Sequence, residues 1–273
     1  MRLSFIILVS LILLGCEHDQ PNLNKVLLLG HGGIGFDNFN GQYAPNSVPS
    51  MEISLDFYHL DGVEVDVQFT KDGELIVFHD DYLENATQCK GRISSLNLAD
   101  IGTCLYRKQF SNIYNHGIIT LDSLITLINE RWNRKYFSFH VKDNFDVPFK
   151  IDSLAGRLHQ KLRRLYAIDR VFVECRDANL LYGLKQRYNY QCLLVSALDS
   201  TGARDVDRFG LEGIVTRFDK IDRESHHKMS KNSKRVVLHG QQKSRHFTEI
   251  DYSGIDAVQV DNPVLALRYF REN

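Results

Sequence analysis

Short runs of apolar and β-branched residues recur along the chain, and most are separated by segments in which apolar residues follow a helical period. One such segment has leucine or isoleucine at positions 121, 124, 125 and 128, directly after Thr120, a residue suited to the N-cap. Similar stripes occupy 154–165 and 180–184, and a last one follows Pro263. The nine strand candidates are 26–30, 63–68, 75–79, 136–142, 170–175, 190–195, 213–217, 235–239 and 257–261.

This alternation of strands and helices predicts a (β/α)8 TIM barrel, in which parallel strands form the inner ring and helices the outer one. An open, doubly wound parallel sheet is the alternative fold. Nine candidates exceed the eight strand positions of a barrel, so one of them is accessory or misassigned. Neither a low-complexity tract nor a linker divides residues 25–273, which we therefore interpret as one domain.

The N-terminus has the features of an export signal. Arg2 is followed by an apolar run that ends at Leu14, long enough for a signal peptide and too short to span a bilayer. The run leads into Leu13-Leu14-Gly15-Cys16, which resembles a bacterial lipobox. We predict a signal peptide at 1–15, a lipidated Cys16, a polar tether at 16–24, and an exported protein anchored to a bacterial membrane, either periplasmic or facing the cell surface. A plain secretory signal that ends near an unrelated cysteine is the alternative.

Composition narrows the possible partners. Lys and Arg number 33 against 34 Asp and Glu, so the chain has no basic field of the kind that non-specific nucleic-acid binding requires. Lipidation of Cys16 would leave four cysteines, which outside the cytoplasm are able to pair. Cys89 and Cys104 are close enough in sequence to form a bridge, but four unpaired, buried cysteines fit the sequence equally well.

Two predicted strands, 63–68 and 137–142, alternate apolar and polar residues. In a barrel the apolar residues suit the outer face under the helices, which turns the polar ones inward. Two carboxylates at i and i+2, such as Glu64 and Asp66, are costly to bury without a cation or protons. Exposed alternation on antiparallel edge strands is the alternative. The residues predicted to point inward are Glu64, Asp66, Gln68, Ser138, His140 and Lys142.

Histidines close two further predicted strands, His31 after 26–30 and His79 after 75–78. Because the carboxyl ends of barrel strands meet at one rim, we expect both histidines to lie beside the inward-facing polar residues. Carboxylate oxygens suit Mg²⁺ or Ca²⁺, while His140 would also admit Zn²⁺ or Mn²⁺. Two histidines, a divalent metal and Lys142 suit phosphoryl chemistry, with one imidazole as base, the other as acid, and the cations neutralising the phosphate.

Four stretches match motifs that occur together in one family. Residues 62–81 contain Glu-x-Asp-Val-x-x-Thr-x-Asp-Gly and, further on, His-Asp. His-Gly-Gly at 31–33 is similar to a His-Arg-Gly motif, Ala-Pro-Asn-Ser at 44–47 to Pro-Glu-Asn-Thr, and Val-Asp-Asn-Pro at 260–263 to Thr-Asp-x-Pro. Together they resemble the glycerophosphodiester phosphodiesterase family, whose barrel and site are similar to those of phosphatidylinositol-specific phospholipases C.

The resemblance implies a metal-dependent phosphodiesterase that acts on glycerophosphodiesters or related small-molecule or lipid-derived phosphodiesters. It implies that His31 and His79 are the acid–base pair, and that the substrate's own hydroxyl attacks through a cyclic phosphate. The implied metal ligands are Glu64, Asp66 and His140, and the implied substrate-binding residues are Lys142 and Asn46.

Three departures from the family motifs bear on activity. Gly32 stands where the family has a phosphate-binding arginine, and His140 stands where it has a glutamate ligand. The segment 236–240 lacks the aromatic residue of the family's corresponding strand end. A non-catalytic phosphate-ligand binder on the same barrel and a sphingomyelinase-D-like lyase are therefore alternative functions. We also consider Arg217 as a replacement for the missing guanidinium.

Overall fold

The structure, a computed structural model, describes residues 23–36, 42–108, 116–143 and 146–272. The predicted signal peptide, Cys16 and most of the tether lie outside these residues. Within them the chain forms ten strands, in chain order β1 (Leu27–His31), β2 (Gly62–Phe69), β3 (Leu75–Val77), β4 (Ile119–Thr120), β5 (Tyr136–Val141), β6 (Val171–Cys175), β7 (Gln191–Val195), β8 (Gly213–Arg217), β9 (Arg235–His239) and β10 (Ala257–Val260).

Eight of these strands close into a parallel barrel. The order is β1-β10-β9-β8-β7-β6-β5-β2, and β1 also pairs with β2, which completes the ring. At the closure His31 is in register with Glu64, and on the other side of β2 Asp66 is in register with His140. The predicted (β/α)8 barrel is thus confirmed, and the open sheet is excluded because a doubly wound sheet has two unpaired edges.

The surplus strand candidate is the one at 75–79. It forms β3, which runs antiparallel to β2 with Val67 opposite Val77, and β4 pairs antiparallel with β3 in turn. This two-strand extension lies outside the ring, so the end of β3 is not one of the barrel's eight strand ends.

Helices cover the outside of the barrel. The predicted stripe after Thr120 forms a helix whose first turn is capped by the Thr120 side chain, which accepts from the Ser123 N–H at 3.1 Å. Leu165 is buried but lies beyond the end of its helix. In the last helix Ala266 and Phe270 are buried, while Leu265 and Leu267 are only partly buried. The helices are α1 (Val48–Glu52), α2 (Leu98–Ile101), α3 (Leu121–Arg131), α4 (Ile151–Leu162), α5 (Ala178–Tyr188), α6 (Ser200–Phe209), α7 (Arg223–Lys231), α8 (Ser244–Thr248) and α9 (Pro263–Arg271).

Apolar residues fill two concentric layers. Val63, Val65 and Val67 of β2 belong to the main core between strands and helices, as their alternation predicts. Inward-facing apolar residues plug the lumen, which leaves the polar inward-facing residues at one end of it. The lumen plug consists of Leu29, Phe172, Leu193, Val215, Val237 and Ala257.

A smaller core lies under the excursion between β3 and α3. It includes Phe78, Ile101 and Tyr106, and the disulfide Cys89–Cys104 closes the excursion. The pairing that the sequence left open is therefore present, while Cys175 and Cys192 are buried free thiols in the described chain. No helix among the described residues is long and apolar enough to cross a membrane.

Candidate active site

Three side chains form a compact cluster of metal-ligating atoms on the inward faces of β2 and β5. One ligand atom each from Glu64, Asp66 and His140 lies within 4.8 Å of the other two. His140 Nδ1 is 3.0 Å from Asp66 Oδ1 and 3.9 Å from Glu64 Oε1. Parallel pairing in register places Asp66 opposite His140, because both residues point into the lumen from adjacent strands.

Glu64 is the member of the cluster that most needs a cation. Burial and the neighbouring Asp66 carboxylate raise its pKa well above the ordinary value. Glu64 Oε2 accepts from the Gly32 N–H at 3.0 Å, whereas Oε1 is buried without a hydrogen-bond partner among the described residues. An unpartnered carboxylate oxygen beside a second carboxylate and an imidazole fits a divalent cation.

Asp66 is held in its charged form. Burial alone would raise its pKa, but the Lys142 ammonium, 3.2 Å from Oδ1, and the hydrogen-bonded His140 together lower it far below the ordinary value. Asn46 makes two hydrogen bonds to the same residue. Its side-chain amide N–H donates to Asp66 Oδ2, and its side-chain carbonyl oxygen accepts from the Asp66 N–H, both at 2.8 Å. The side chain of Asn46 is buried, and these two bonds orient the Asp66 carboxylate. The substrate contact implied for Asn46 stays a prediction.

His31 forms a dyad with Asp261. The Nδ1 atom of His31 is 2.8 Å from Asp261 Oδ1, which leaves Nε2 directed toward Glu64, 3.9 Å from Oε2. Burial would lower the pKa of His31, but the hydrogen bond to Asp261 and the charge of Glu64 outweigh it and raise the pKa to about 9. Asp261 belongs to the motif at 260–263, for which the sequence indicated no role, and the pairing of β1 with β10 explains its position.

His79 reaches the site by a different route from the one expected. It follows β3, which is outside the ring, so His79 does not lie at the end of a barrel strand. Instead Gln68, buried on β2, donates to the carbonyl oxygens of Phe78 at 2.7 Å and Asp80 at 2.9 Å. These two bonds fix the segment that bears His79 against the end of β2, and His79 Nδ1 lies 2.8 Å from Asp80 Oδ1.

Two further ionisable residues at the site, Glu174 and His239, were not predicted from the sequence. Glu174 on β6 is buried in register with His140 and accepts hydrogen bonds from Ser138 Oγ and Gln259 Nε2, and burial raises its pKa. The ring of His239 lies 5.9 Å from that of His31, and burial followed by the charge of His31 lowers the pKa of His239 to about 4. A single acid within the apolar run 171–175 is the signal that would have revealed Glu174.

The positions that depart from the family motifs have specific surroundings. Gly32 has a left-handed backbone with φ +57°, and a Cβ atom there would lie 3.0 Å from the ring of Phe36, so an arginine does not fit without rearrangement. Arg217 does not substitute for it in this structure, because its guanidinium makes two hydrogen bonds to Asp219.

Comparison with known proteins agrees with this fold. The model of the glycerophosphoryl diester phosphodiesterase family matches residues 39–265. A glycerophosphodiester phosphodiesterase of Bacillus altitudinis is 26% identical over 137 residues, which make up 50% of this chain and 54% of that protein, so the chain spans about half of this relative.

Two solved structures share the barrel. A glycerophosphodiester phosphodiesterase of Parabacteroides distasonis superposes with a TM-score of 0.74 at 17% identity, covering 91% of this chain and 98% of that one. A phosphodiesterase of Oleispira antarctica, solved in complex with the product sn-glycerol-3-phosphate, gives 0.75 at 18% identity and covers 89% and 96%. The two superpositions establish the common fold, and the family match extends over most of the sequence, from residue 39 to residue 265. The chain therefore belongs to the glycerophosphoryl diester phosphodiesterase family.

Proposed function

We propose that this protein is a metal-dependent phosphodiesterase that hydrolyses glycerophosphodiesters, with His31 and His79 as its acid–base pair. The observation that carries the proposal is the buried Glu64 Oε1, which has no hydrogen-bond partner among the described residues and belongs to the cluster of Glu64, Asp66 and His140. The Nε2 atom of His31 points toward the same carboxylate. The family match and the product bound to the Oleispira antarctica phosphodiesterase support a small phosphodiester as substrate.

Glu64, Asp66 and His140 would hold the divalent cation, with Mg²⁺ or Ca²⁺ favoured by the two carboxylates and Zn²⁺ or Mn²⁺ admitted by the imidazole. When bound, the cation supplies positive charge that offsets the charge developing on the phosphate oxygens. Lys142 adds a second positive charge from the end of β5, since its ammonium already lies against Asp66 at the site.

The two histidines take opposite roles. Asp261 holds the Nδ1 proton of His31, so Nε2 is the atom that exchanges a proton with the substrate. We assign His31 as the acid that protonates the leaving oxygen, because the Asp261 carboxylate 2.8 Å from Nδ1 stabilises its imidazolium form. His79 then removes the proton of the attacking hydroxyl, and Asp80 holds its Nδ1 in the same way.

A panel of phosphodiesters assayed with and without EDTA tests the proposal. Metal-dependent release of glycerol phosphate is the expected result, and ³¹P NMR follows any cyclic phosphate. Accumulation of the cyclic phosphate as end product would instead establish a lyase of the sphingomyelinase-D kind. Phosphodiester binding without turnover would identify a non-catalytic binder, the alternative that Gly32 and His140 motivate.

We further propose that the protein is exported and anchored to the membrane through Cys16. The support is the Leu13-Leu14-Gly15-Cys16 sequence after an apolar run, together with the disulfide Cys89–Cys104, since disulfides persist in oxidising compartments.

A further inference from the structure

A glycine-rich turn after β1 places a phenylalanine at the site. Gly35 N–H donates to the His31 carbonyl oxygen at 2.9 Å, and Gly35 has φ +96°. A Cβ atom on Gly35 would lie 2.2 Å from the Asp261 carbonyl oxygen, so the close approach of this turn to the end of β10 requires glycine. The turn therefore delivers the next residue, Phe36, to a defined position.

Phe36 is fixed to the same carboxylate that orients His31. Its N–H donates to Asp261 Oδ1 at 3.4 Å, and the same oxygen lies 2.8 Å from His31 Nδ1. The half-buried phenyl ring contacts both proposed catalytic imidazoles, with its centroid 4.6 Å from that of His31 and 4.6 Å from that of His79. A ring without hydrogen-bonding groups thus occupies the space between the acid and the base.

This placement limits where a substrate can lie. The phosphate belongs on the side of the charged groups, where His31 Nε2 faces Glu64, because the phenyl ring offers it no donor. A phosphodiester that exchanges protons with both imidazoles must then pass beside the ring, so the carbon skeleton of one ester substituent contacts it.

We propose that Phe36 is a specificity-determining residue that restricts the alcohol moiety of the phosphodiester to small, unbranched groups such as ethanolamine. The inference rests on the proposed function, since it concerns the substrate of the same site. Apolar contact with the short carbon chain stabilises the bound diester, while a ring-sized alcohol such as inositol overlaps the phenyl group. A difference of a single methylene in an apolar pocket is worth about 10–200-fold in kcat/KM.

The test compares glycerophosphoethanolamine with glycerophosphoinositol as substrates for the wild type, Phe36→Ala and Phe36→Leu. The ratio of kcat/KM for the inositol diester to that for the ethanolamine diester should rise about tenfold or more in Phe36→Ala, with a smaller rise in Phe36→Leu. The leucine variant carries the test if the alanine variant does not fold, as judged by circular dichroism. Phe57→Ala, which removes an exposed phenylalanine from the segment after α1, is the matched control and should leave the ratio unchanged.

The pH–rate profile of the Phe36 variants distinguishes two explanations: Phe36 contacts the substrate directly, or Phe36 holds the two imidazoles in place. An unchanged profile with a raised ratio supports the proposal. A shifted profile with an unchanged ratio overturns it, because Phe36 would then act by holding the histidines. Wild-type turnover with the same ratio in both Phe36 variants also overturns it while leaving the proposed function intact. Wild-type protein inactive on both diesters, with metal present, overturns the proposed function and this inference together.

Discussion

At the scale of single residues, the two carboxylates of β2 differ in their surroundings although they are two positions apart. Asp66 has the Lys142 ammonium, His140 and two bonds from Asn46, while the Oε1 atom of Glu64 has no hydrogen-bond partner in the described chain. Glu64 therefore contributes the carboxylate oxygen whose burial a bound cation would compensate.

Replacing the Glu64 carboxylate with an amide should consequently weaken metal binding strongly. We expect Glu64→Gln to lower the affinity for Mg²⁺ or Mn²⁺ by at least about tenfold, because losing even a residue that only supports a metal ligand typically costs about 10–100-fold. Isothermal titration calorimetry measures it. Glu174→Gln is the matched control, because Glu174 is also buried in the lumen but lies outside the ligand cluster and is hydrogen-bonded by Ser138 and Gln259. Equal affinity in Glu64→Gln and the wild type would contradict the assignment of this ligand.

Replacing either histidine should lower the catalytic rate without abolishing metal binding. General acid–base steps typically supply about 10²–10⁴-fold in rate, so His31→Ala and His79→Ala should each lower kcat by that factor. Metal affinity should persist in both, since neither histidine belongs to the ligand cluster. Steady-state kinetics with calorimetry on the same preparations provide the measurement, and wild-type turnover in both variants would refute the mechanism.

The titration of His31 provides a pH prediction with a definite sign. Its pKa is raised from 6.5 to about 9 by Asp261 and Glu64, which outweigh burial. The stabilisation it gives is therefore complete below about pH 6.5 and is lost as the pH rises through about 9. In EDTA, NMR of the imidazole C–H should show the raised pKa, and Asp261→Asn should lower it. Added Mg²⁺ should lower it as well, because a cation beside Glu64 offsets the charge that favours the imidazolium. A His31 pKa that is the same in Asp261→Asn as in the wild type would show that the dyad does not control this residue.

At the scale of elements, β2 serves the site along its whole length. Its inward face supplies Glu64 and Asp66, and two residues further on Gln68 fixes the segment that bears His79. A single strand thus determines the spacing between the ligand cluster and one of the two imidazoles.

Removing the Gln68 amide should displace His79 while leaving the ligand cluster of Glu64, Asp66 and His140 in place. Gln68→Leu leaves the carbonyl oxygens of Phe78 and Asp80 without this donor, so we expect kcat to fall at least about tenfold through a displaced His79. Metal affinity should change little, because Glu64 and Asp66 keep their contacts. Gln191→Leu is the control, since Gln191 also donates to a backbone carbonyl, that of Asp169, but at the start of β7. A Gln68→Leu variant that loses metal binding together with activity would show that β2 itself is disturbed.

At the scale of the whole molecule, ring closure assembles the site from both ends of the chain. Pairing of β1 with β10 brings Asp261 to His31 across 230 residues of sequence, and pairing of β1 with β2 places His31 beside Glu64. A local unfolding event in either terminal strand would therefore remove the acid from the site.

The proposed anchor through Cys16 also concerns the whole molecule. We expect the full-length protein to fractionate with membranes, and mass spectrometry of the mature protein to find a lipid on Cys16 as the first residue. Cys16→Ser should move the protein to the soluble fraction of the exported material, because the modified thiol is absent. A mature N-terminus at another residue, without lipid, would rule out the anchor and leave the catalytic proposal untouched.

The sequence alone predicted the barrel, the inward face of β2 and β5, and the ligand cluster, because each depends on a local period and on the general geometry of parallel strands. Alternating residues on one strand must share a face, so Glu64 and Asp66 are neighbours in any fold that keeps the strand. The motif at 62–81 added candidate roles but contained no information on the neighbours of each side chain.

Tertiary structure alone decided the contacts between residues distant in sequence. Asn46 binds Asp66, and His31 pairs with Asp261. His79 follows an antiparallel strand outside the ring, and Phe36 lies between the two imidazoles. The alternation of apolar and polar residues along a strand indicates which face of that strand each residue occupies. The partner across that face depends on strand order, register and the path of loops, which are set by packing of the whole barrel and are not encoded in any local window of the sequence.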